Sequence, residues 1–318
     1  MRTNPAGSVK SVEQIYAAAP RGFCAGVRRA ITVLERVLEK HGAPVYVRHA
    51  IVHNRRVVAE FEKKGAVFVE DIETVPDGSV VVFSAHGTPP AVYQRAKDKQ
   101  LTVYDAVCPL VTKVHLEAKR YAREGYFIVY IGHHRHPEGV GVMGEVAPES
   151  IKLVADLSEA KALRLSRIGK LVALTQTTLS FSDTTTIVAF LRRTYPQIIL
   201  PPTFDICYAT QNRQDAVRQL AKQAELIMVV GSQHSSNCNR LKEVARNNGV
   251  AAYLVNDESE INPVWLKGVR SVGVAAGAST PETEVRRVVD YLAAGRPIIK
   301  EIVYKTEAVQ FPLPAGLS

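Results

Sequence analysis

The chain has 318 residues, of which 46% are apolar and 22% are charged, and this composition excludes a disordered, collagenous or coiled-coil protein. Its formal net charge of +9 favours anionic ligands or acidic partners, without choosing between a phosphate, a nucleic acid and an acidic protein. The apolar runs fall far short of the roughly 18 residues of a membrane helix, and the first residues lack the apolar core of a secretory signal. Four cysteines without a Cys-x-x-Cys pair favour a reducing compartment, so we expect a cytoplasmic protein that does not contact membranes.

The first third of the chain predicts four short strands that alternate with helices. Apolar, β-branched runs lie at residues 15–19, 45–47, 66–69 and 80–83. Such alternation is typical of βαβ units in parallel sheets. Cys24 follows the first run and precedes a helical apolar stripe. It is therefore expected at the carboxyl end of a strand, the edge where open parallel sheets bind ligands.

The same pattern occurs twice more. The second set of strands is predicted at residues 103–104, 127–131, 151–154 and 171–174, and the third at residues 204–206, 226–230, 251–255 and 271–275. Cys108 and Cys207 follow the first strands of these sets, and each lies 19 residues before the second strand, against 21 residues for Cys24. A repeat of about 90 residues is too long for a solenoid. We therefore predict an α/β fold of three similar parallel-sheet modules with pseudo-threefold symmetry.

The repeats also set the expected domain boundaries. We place the three modules at residues 1–101, 102–199 and 200–294, each with one of these cysteines. The tail at residues 295–318 is apolar and contains prolines, so we expect it to pack back on the core.

Three thiols from three modules can hold a metal centre that no single local motif would form. Three cysteines suit a cubane iron–sulfur cluster with one iron left without a protein ligand. The alternatives are zinc bound by three cysteines, and buried cysteines that act as small apolar side chains. The equivalent placement of Cys24, Cys108 and Cys207 favours metal ligation.

Histidines and one acid follow other strands at the same predicted edge. His53, His86 and His136 suit a diphosphate, although loop histidines can also be exposed or cap a helix. Glu138 is the only acid in these loops and indicates a proton donor, the alternative being a salt bridge. Hydroxyl and amide side chains in the other loops suit substrate oxygens or, alternatively, helix caps. They are Thr177, Ser235, Ser236, Asn237 and Ser279.

One glycine pattern and several basic pairs suggest other functions. Residues 139–144 match G-x-G-x-x-G but begin several residues after the predicted strand, so we predict a flexible loop and no dinucleotide site. Basic pairs such as Arg28 and Arg29 lack the aromatic motifs of RNA-binding domains, so we predict no nucleic-acid partner.

Nine short segments carry a more specific signal. They are PRGFCAGV (20–27), VHN (52–54), SAHG (84–87), DAVCPLV (105–111), HPE (136–138), TQTT (175–178), DICYAT (205–210), SSN (235–237) and AGAS (276–279). Together they resemble the hydroxymethylbutenyl diphosphate reductase family, and the resemblance extends from about residue 15 to residue 292. It implies a trefoil of three α/β modules around a [4Fe-4S] cluster with Cys24, Cys108 and Cys207 as ligands.

The resemblance also implies an activity, the last step of the non-mevalonate isoprenoid pathway. The open iron would bind the allylic hydroxyl of the substrate, and two electrons and two protons would remove it as water. The products would be isopentenyl and dimethylallyl diphosphate. Electrons would come from a ferredoxin or flavodoxin, whose usual acidity suits the positive charge of this chain.

The same resemblance assigns the remaining site residues. The catalytic set would be Glu138 as the proton donor, Thr177 orienting the hydroxyl, and His136. The diphosphate would be held by His53, His86, His136, Ser235, Ser236, Asn237 and Ser279.

One departure and two alternative functions accompany this hypothesis. Cys238 directly follows Asn237, where we expect a small residue that is not a ligand, because it breaks the pattern of one cysteine per module. The first alternative is a catalytically degenerate binding protein that senses iron or oxygen. The second is a metal-free hydrolase or transferase that acts on phosphorylated metabolites.

Overall fold

The computed structural model describes residues 12–165, 168–200 and 205–317. The chain divides into two compact units. The first contains the chain up to Cys24 together with Tyr208–Val309, and the second contains Ala25–Cys207 together with the residues from Gln310 onward.

Short strands and helices alternate throughout the described residues. The strands are β1 (Gln14–Ala19), β2 (Val45–Arg48), β3 (Ala66–Val69), β4 (Val80–Phe83), β5 (Thr102–Asp105), β6 (Phe127–Ile131), β7 (Ile151–Val154), β8 (Leu171–Thr175), β9 (Ile198–Ile199), β10 (Leu226–Val230), β11 (Ala251–Val255), β12 (Ser271–Ala276) and β13 (Ile298–Val303). The α-helices are α1 (Ala25–His41), α2 (Arg55–Lys63), α3 (Pro90–Asp98), α4 (Pro109–Arg123), α5 (Pro137–Met143), α6 (Leu157–Ala162), α7 (Phe181–Thr194), α8 (Tyr208–Leu220), α9 (Ser236–Asn247) and α10 (Glu282–Leu292). Short 3-10 helices lie at Ile72–Thr74, Pro148–Ser150, Glu258–Glu260, Pro263–Leu266 and Ala293–Gly295.

The strands of the described residues form three sheets in which every pair is parallel. The first unit holds one sheet in the order β11-β10-β12-β1-β13, and the second unit holds two, β3-β2-β4-β5 and β7-β6-β8-β9. Central strands such as β8 and β10 are buried along their whole length, as expected where helices cover both faces of a parallel sheet. The prediction of three parallel-sheet α/β modules is confirmed.

The grouping of strands within the sheets differs from the one predicted. β5 pairs with β4, with Val103 opposite Val81, although the sequence repeat assigned it to the next module. β1 likewise pairs with β12, with Ile15 opposite Val272. The sheets therefore do not end where the sequence repeats end. A single short helix, such as α3 between β4 and β5, can join two consecutive parallel strands of the same sheet.

The strand predicted at residues 204–206 is wrong in its described part. Asp205 and Ile206 form a bend, and Phe204 lies outside the described residues. The edge position beside β8 is taken instead by β9. The Asp205 carboxylate accepts a hydrogen bond from the Thr175 amide (2.9 Å), so a side chain replaces the backbone pairing expected there.

The C-terminal residues form one segment in each unit. β13 pairs with β1 over its full length in the first unit. In the second unit, Arg29 Nε donates to the carbonyl of Pro312 (2.8 Å) and Lys40 Nζ donates to that of Gly316 (3.2 Å).

No helix among the described residues combines the length and the apolar character that crossing a membrane requires.

The G-x-G-x-x-G segment forms α5 rather than a flexible loop, and its glycines allow close packing. A Cβ added at Gly141 would lie 3.0 Å from the His115 ring and 3.3 Å from the backbone of Gly87. His115 is buried, and its Nδ1 is fixed by Glu145 (2.7 Å). At Gly139, a Cβ would meet its nearest neighbour at an ordinary 3.4 Å.

We expect Gly141→Ala to lower the free energy of unfolding by about 1–3 kcal/mol, because the fixed His115 ring has no space to move. Gly139→Ala is the matched control and should be neutral, or stabilising by about 0.5–1 kcal/mol, because alanine favours a helix. Urea unfolding of both variants measures the difference, and equal stabilities would contradict the packing role.

Candidate active site

Three cysteines occupy equivalent positions beside the ends of parallel strands. Each cysteine N–H donates to the carbonyl of the second residue after a strand. The pairs are Cys24 with Ala278 (3.1 Å) after β12, Cys108 with Ala85 (3.1 Å) after β4, and Cys207 with Thr177 (3.0 Å) after β8. The repeat inferred from cysteine spacing therefore has a counterpart in backbone hydrogen bonding.

Each of these cysteines also directly precedes a helix. α1 begins at Ala25 and α8 at Tyr208, while Cys108 is the N-cap of α4. The amino end of a helix stabilises negative charge, which suits a thiolate ligand. All three thiols are partly exposed and form no disulfide. No group of three His, Cys, Asp or Glu side chains that could hold a single metal ion occurs within the described ranges.

Cys238 differs from the other cysteines in its environment. It is 0% exposed and belongs to the apolar core behind β10. A Cβ added at Gly231 or Gly277 would lie 2.4 Å or 2.1 Å from its sulfur, so glycine backbone encloses the thiol. Burial raises the pKa of Cys238, which disfavours the thiolate needed for metal binding.

Three histidines of the second unit form a compact cluster. The ring centroids of His53 and His86 are 4.1 Å apart, and His136 lies 5.5 Å from His53 and 6.0 Å from His86. His136 also caps α5, because its Nδ1 accepts a hydrogen bond from the Glu138 amide (3.2 Å). This bond assigns the proton of neutral His136 to Nε2.

Burial and mutual repulsion disfavour the charged forms of His86 and His136. Desolvation, with the neighbouring histidines adding to it, lowers the pKa of His86 well below its ordinary value. Desolvation likewise lowers the pKa of His136 to about 3, with His53 and His133 contributing. A bound anion would reverse this effect, since negative charge favours the imidazolium form.

Glu138 and Thr177 form a buried pair in the same unit. One carboxylate oxygen of Glu138 accepts from the Thr177 amide (2.7 Å), and the other accepts from its hydroxyl (2.9 Å). Desolvation raises the pKa of Glu138 to about 7, although both bonds from Thr177 oppose the shift. Near neutral pH the carboxyl is therefore divided between its acid and its base forms, as general acid–base catalysis requires.

The first unit contains a counterpart of this pair. Asn237 is the second residue of α9, as Glu138 is of α5. Its Oδ1 accepts from the amide of Ala278 (3.0 Å), and its Nδ2 donates to the Thr210 hydroxyl (3.3 Å). Sequence reasoning missed this equivalence, although both residues stand two positions after a helix-capping residue.

The predicted serines lie in the first unit, close to Asn237 in sequence or structure. Ser235 is the N-cap of α9 and accepts a hydrogen bond from the Cys238 amide (3.4 Å), so the capping alternative holds for this residue. Ser279 is buried directly after Ala278, and Ser236 is half-buried at the first position of α9.

Comparison with known proteins identifies the family. The family described as LytB protein matches residues 15–293. The chain belongs to the LytB family. This membership confirms the resemblance drawn from the nine short segments.

Named relatives of this LytB chain cover almost its whole length. The 4-hydroxy-3-methylbut-2-enyl diphosphate reductase of Methylibium petroleiphilum is 49% identical over 100% of this chain and 97% of its own. The Bordetella bronchiseptica protein of the same name is 51% identical over 96% of this chain and 94% of its own.

A solved LytB-like structure has a similar fold. The E-1-hydroxy-2-methyl-but-2-enyl-4-diphosphate reductase of Plasmodium falciparum aligns with a TM-score of 0.93 and 37% identity, over 96% of this chain and 97% of its own.

We expect Thr177→Val to raise the pKa of Glu138 above about 7, because the carboxylate loses a hydroxyl donor that favours its charged form. Infrared titration of the carboxyl band that disappears in Glu138→Gln measures the change. Thr184→Val, an equivalent substitution at another buried threonine, should leave the band unchanged. An unshifted Glu138 band in Thr177→Val would contradict the role of the hydroxyl.

Proposed function

We propose that this chain is a 4-hydroxy-3-methylbut-2-enyl diphosphate reductase, an oxidoreductase that forms isopentenyl and dimethylallyl diphosphate in the non-mevalonate pathway. The observation that carries the proposal is the 49% identity to a reductase of that name over the full chain. The overall reaction replaces the allylic hydroxyl with hydrogen. It consumes two electrons and two protons and releases one water.

The proposed cofactor is a [4Fe-4S] cluster held by Cys24, Cys108 and Cys207. The donor set fits such a group, since three partly exposed thiols share one backbone hydrogen-bond pattern, while the buried Cys238 does not. When bound, the cluster supplies electrons and one Lewis-acidic iron without a protein ligand.

The proposed diphosphate ligands are the three clustered histidines and a set of polar side chains. The Nε2–H of His136 can donate to a phosphate oxygen while Nδ1 remains bonded to the Glu138 amide. Proton uptake by a buried imidazole would then be coupled to binding of the anion. The full proposed set is His53, His86, His136, Ser235, Ser236, Asn237 and Ser279.

Glu138 is the proposed proton donor. Its carboxyl is 2% exposed, so it exchanges protons with little competition from bulk water. Thr177 donates to both oxygens of ionised Glu138. When Glu138 is protonated, its O–H can donate to the Thr177 hydroxyl oxygen, and the Thr177 hydroxyl is then able to donate to the leaving oxygen of the substrate. A degenerate sensor protein would have no need of this pair.

The proposed electron donor is an acidic ferredoxin or flavodoxin, which the net charge of +9 would attract. A cytoplasmic location is proposed with it, since such carriers and free thiols both require a reducing compartment.

We expect Cys24→Ser, Cys108→Ser and Cys207→Ser each to abolish retention of the cluster, because each would remove one of its thiolate ligands. Iron and acid-labile sulfide per chain, measured after anaerobic reconstitution, test the assignment. Cys238→Ser is the matched control and should keep about four of each. Loss of the cluster in Cys238→Ser alone would show that the ligand assignment is wrong.

We expect Glu138→Gln to keep its iron and bind substrate while turning over at least about 100-fold more slowly, because it lacks the transferable proton. In the wild-type protein, kcat should fall as the pH rises through about 7, since Glu138 then loses its proton. Steady-state assays with an artificial reductant measure both effects. Near-normal turnover of Glu138→Gln would remove Glu138 as the proton source.

A further inference from the structure

Arg213 is unusual because its charged side chain is buried in the first unit. The side chain is 1% exposed. Among the described residues, it is the largest of the fully buried side chains. Burying a guanidinium is costly unless an opposite charge and hydrogen bonds compensate it. The groups that compensate Arg213 therefore indicate what its burial achieves.

The guanidinium joins three parts of the unit. Nη2 donates to the carbonyl of Gly22 (2.8 Å), and Nη1 donates to that of Ala209 (2.9 Å). Nη1 also contacts the carboxylate of Glu307 (3.1 Å), which accepts a further hydrogen bond from Asn212 Nδ2 (3.0 Å).

Gly22 belongs to the loop that carries Cys24. It has a left-handed φ of +70°, and an added Cβ would lie 3.3 Å from the carbonyl of Thr280, so the loop packs tightly on its neighbour. Two residues later, the Cys24 amide is bonded to Ala278. Arg213 and Ala278 thus fix the loop at two points on the amino-terminal side of the thiol.

Glu307 comes from the C-terminal segment that follows β13. Tyr304, between β13 and Glu307, donates from its amide to Ala19 (2.8 Å) and from its hydroxyl to Asp215 of α8 (3.0 Å). The segment is therefore attached to α8 at two positions, and Glu307 supplies the charge that neutralises the buried guanidinium.

We propose that Arg213 and Glu307 are positioning residues for Cys24, so that the C-terminal segment holds the loop of this ligand in place. If the charge of Glu307 is removed, the buried guanidinium beside Gly22 has no opposite charge to compensate it. Movement of the guanidinium toward water then becomes favourable, and the hydrogen bond that holds the loop at Gly22 is lost. The consequence for metal retention rests on the proposed function. The positioning itself is a property of the metal-free chain.

The experiment compares Glu307→Gln with Tyr304→Phe, a control that removes the other contact of the segment with α8. The metal-free, reduced full-length chain is alkylated with iodoacetamide, and mass spectrometry follows each cysteine separately. We expect Cys24 to react about tenfold faster in Glu307→Gln, equivalent to about 1.4 kcal/mol of easier loop opening, and at the wild-type rate in Tyr304→Phe. Cys108 and the fully buried Cys238 should keep their rates, since Cys238 reports general unfolding.

A second measurement follows iron loss to a chelator from the reconstituted proteins. Glu307→Gln should lose iron roughly 10- to 100-fold faster than wild type, as for other groups that orient a metal ligand. The inference is overturned if Cys24 labelling is unchanged in Glu307→Gln, or if Cys24, Cys108 and Cys238 accelerate together. If Cys24 alone accelerates in a chain that never takes up iron, the positioning role stands and the proposed function fails.

Discussion

The hydrogen bond from each cysteine amide to the loop beyond a neighbouring strand is the constraint on which the candidate site depends. Adjacent parallel strands end at the same edge of a sheet, so the chain leaving one strand can bond to the chain leaving the next. Cys24, Cys108 and Cys207 each make this bond directly before a helix begins. The thiols consequently stay at the edge of the sheet, whereas Cys238, inside a helix, is buried.

Desolvation disfavours the charged forms of both His136 and Glu138 in the second unit. It lowers the pKa of His136 to about 3 and raises the pKa of Glu138 to about 7. Both side chains are therefore mainly uncharged at pH values between these two pKa values. The contribution of Glu138 to folding stability is complete below about pH 4.5 and is lost as the pH rises through about 7. That of His136 is complete above about pH 6.5 and is lost as the pH falls toward about 3. Protonation of His136 therefore weakens the fold at low pH, and ionisation of Glu138 weakens it at high pH. A bound anion would offset the first of these costs, because it favours the imidazolium form.

Local patterns in the sequence predicted the strands and the cysteine positions well, because both depend on nearby residues. The sheets to which β1 and β5 belong differ from the predicted grouping, since pairing depends on where a crossover helix returns the chain, which hydrophobic periodicity does not record. The glycines of α5 were mistaken for a loop, because their small size serves contact with His115. Arg213 was overlooked, since arginine in a helix normally indicates a solvent-exposed face.

The repeated modules provide the same backbone geometry, and single side chains give it different chemistry. Glu138 and Asn237 occupy the second position of equivalent helices. Each accepts a hydrogen bond from the amide of a residue whose carbonyl accepts one from a cysteine amide. An amide at this position can orient a loop but cannot transfer a proton near neutral pH, whereas a buried carboxyl can do both. The third equivalent residue, Arg56, is the second residue of α2 and is exposed to solvent. The acid is thus confined to one of three similar positions. Under the proposed function, the substrate hydroxyl would therefore have to face the module that holds Glu138 in order to leave.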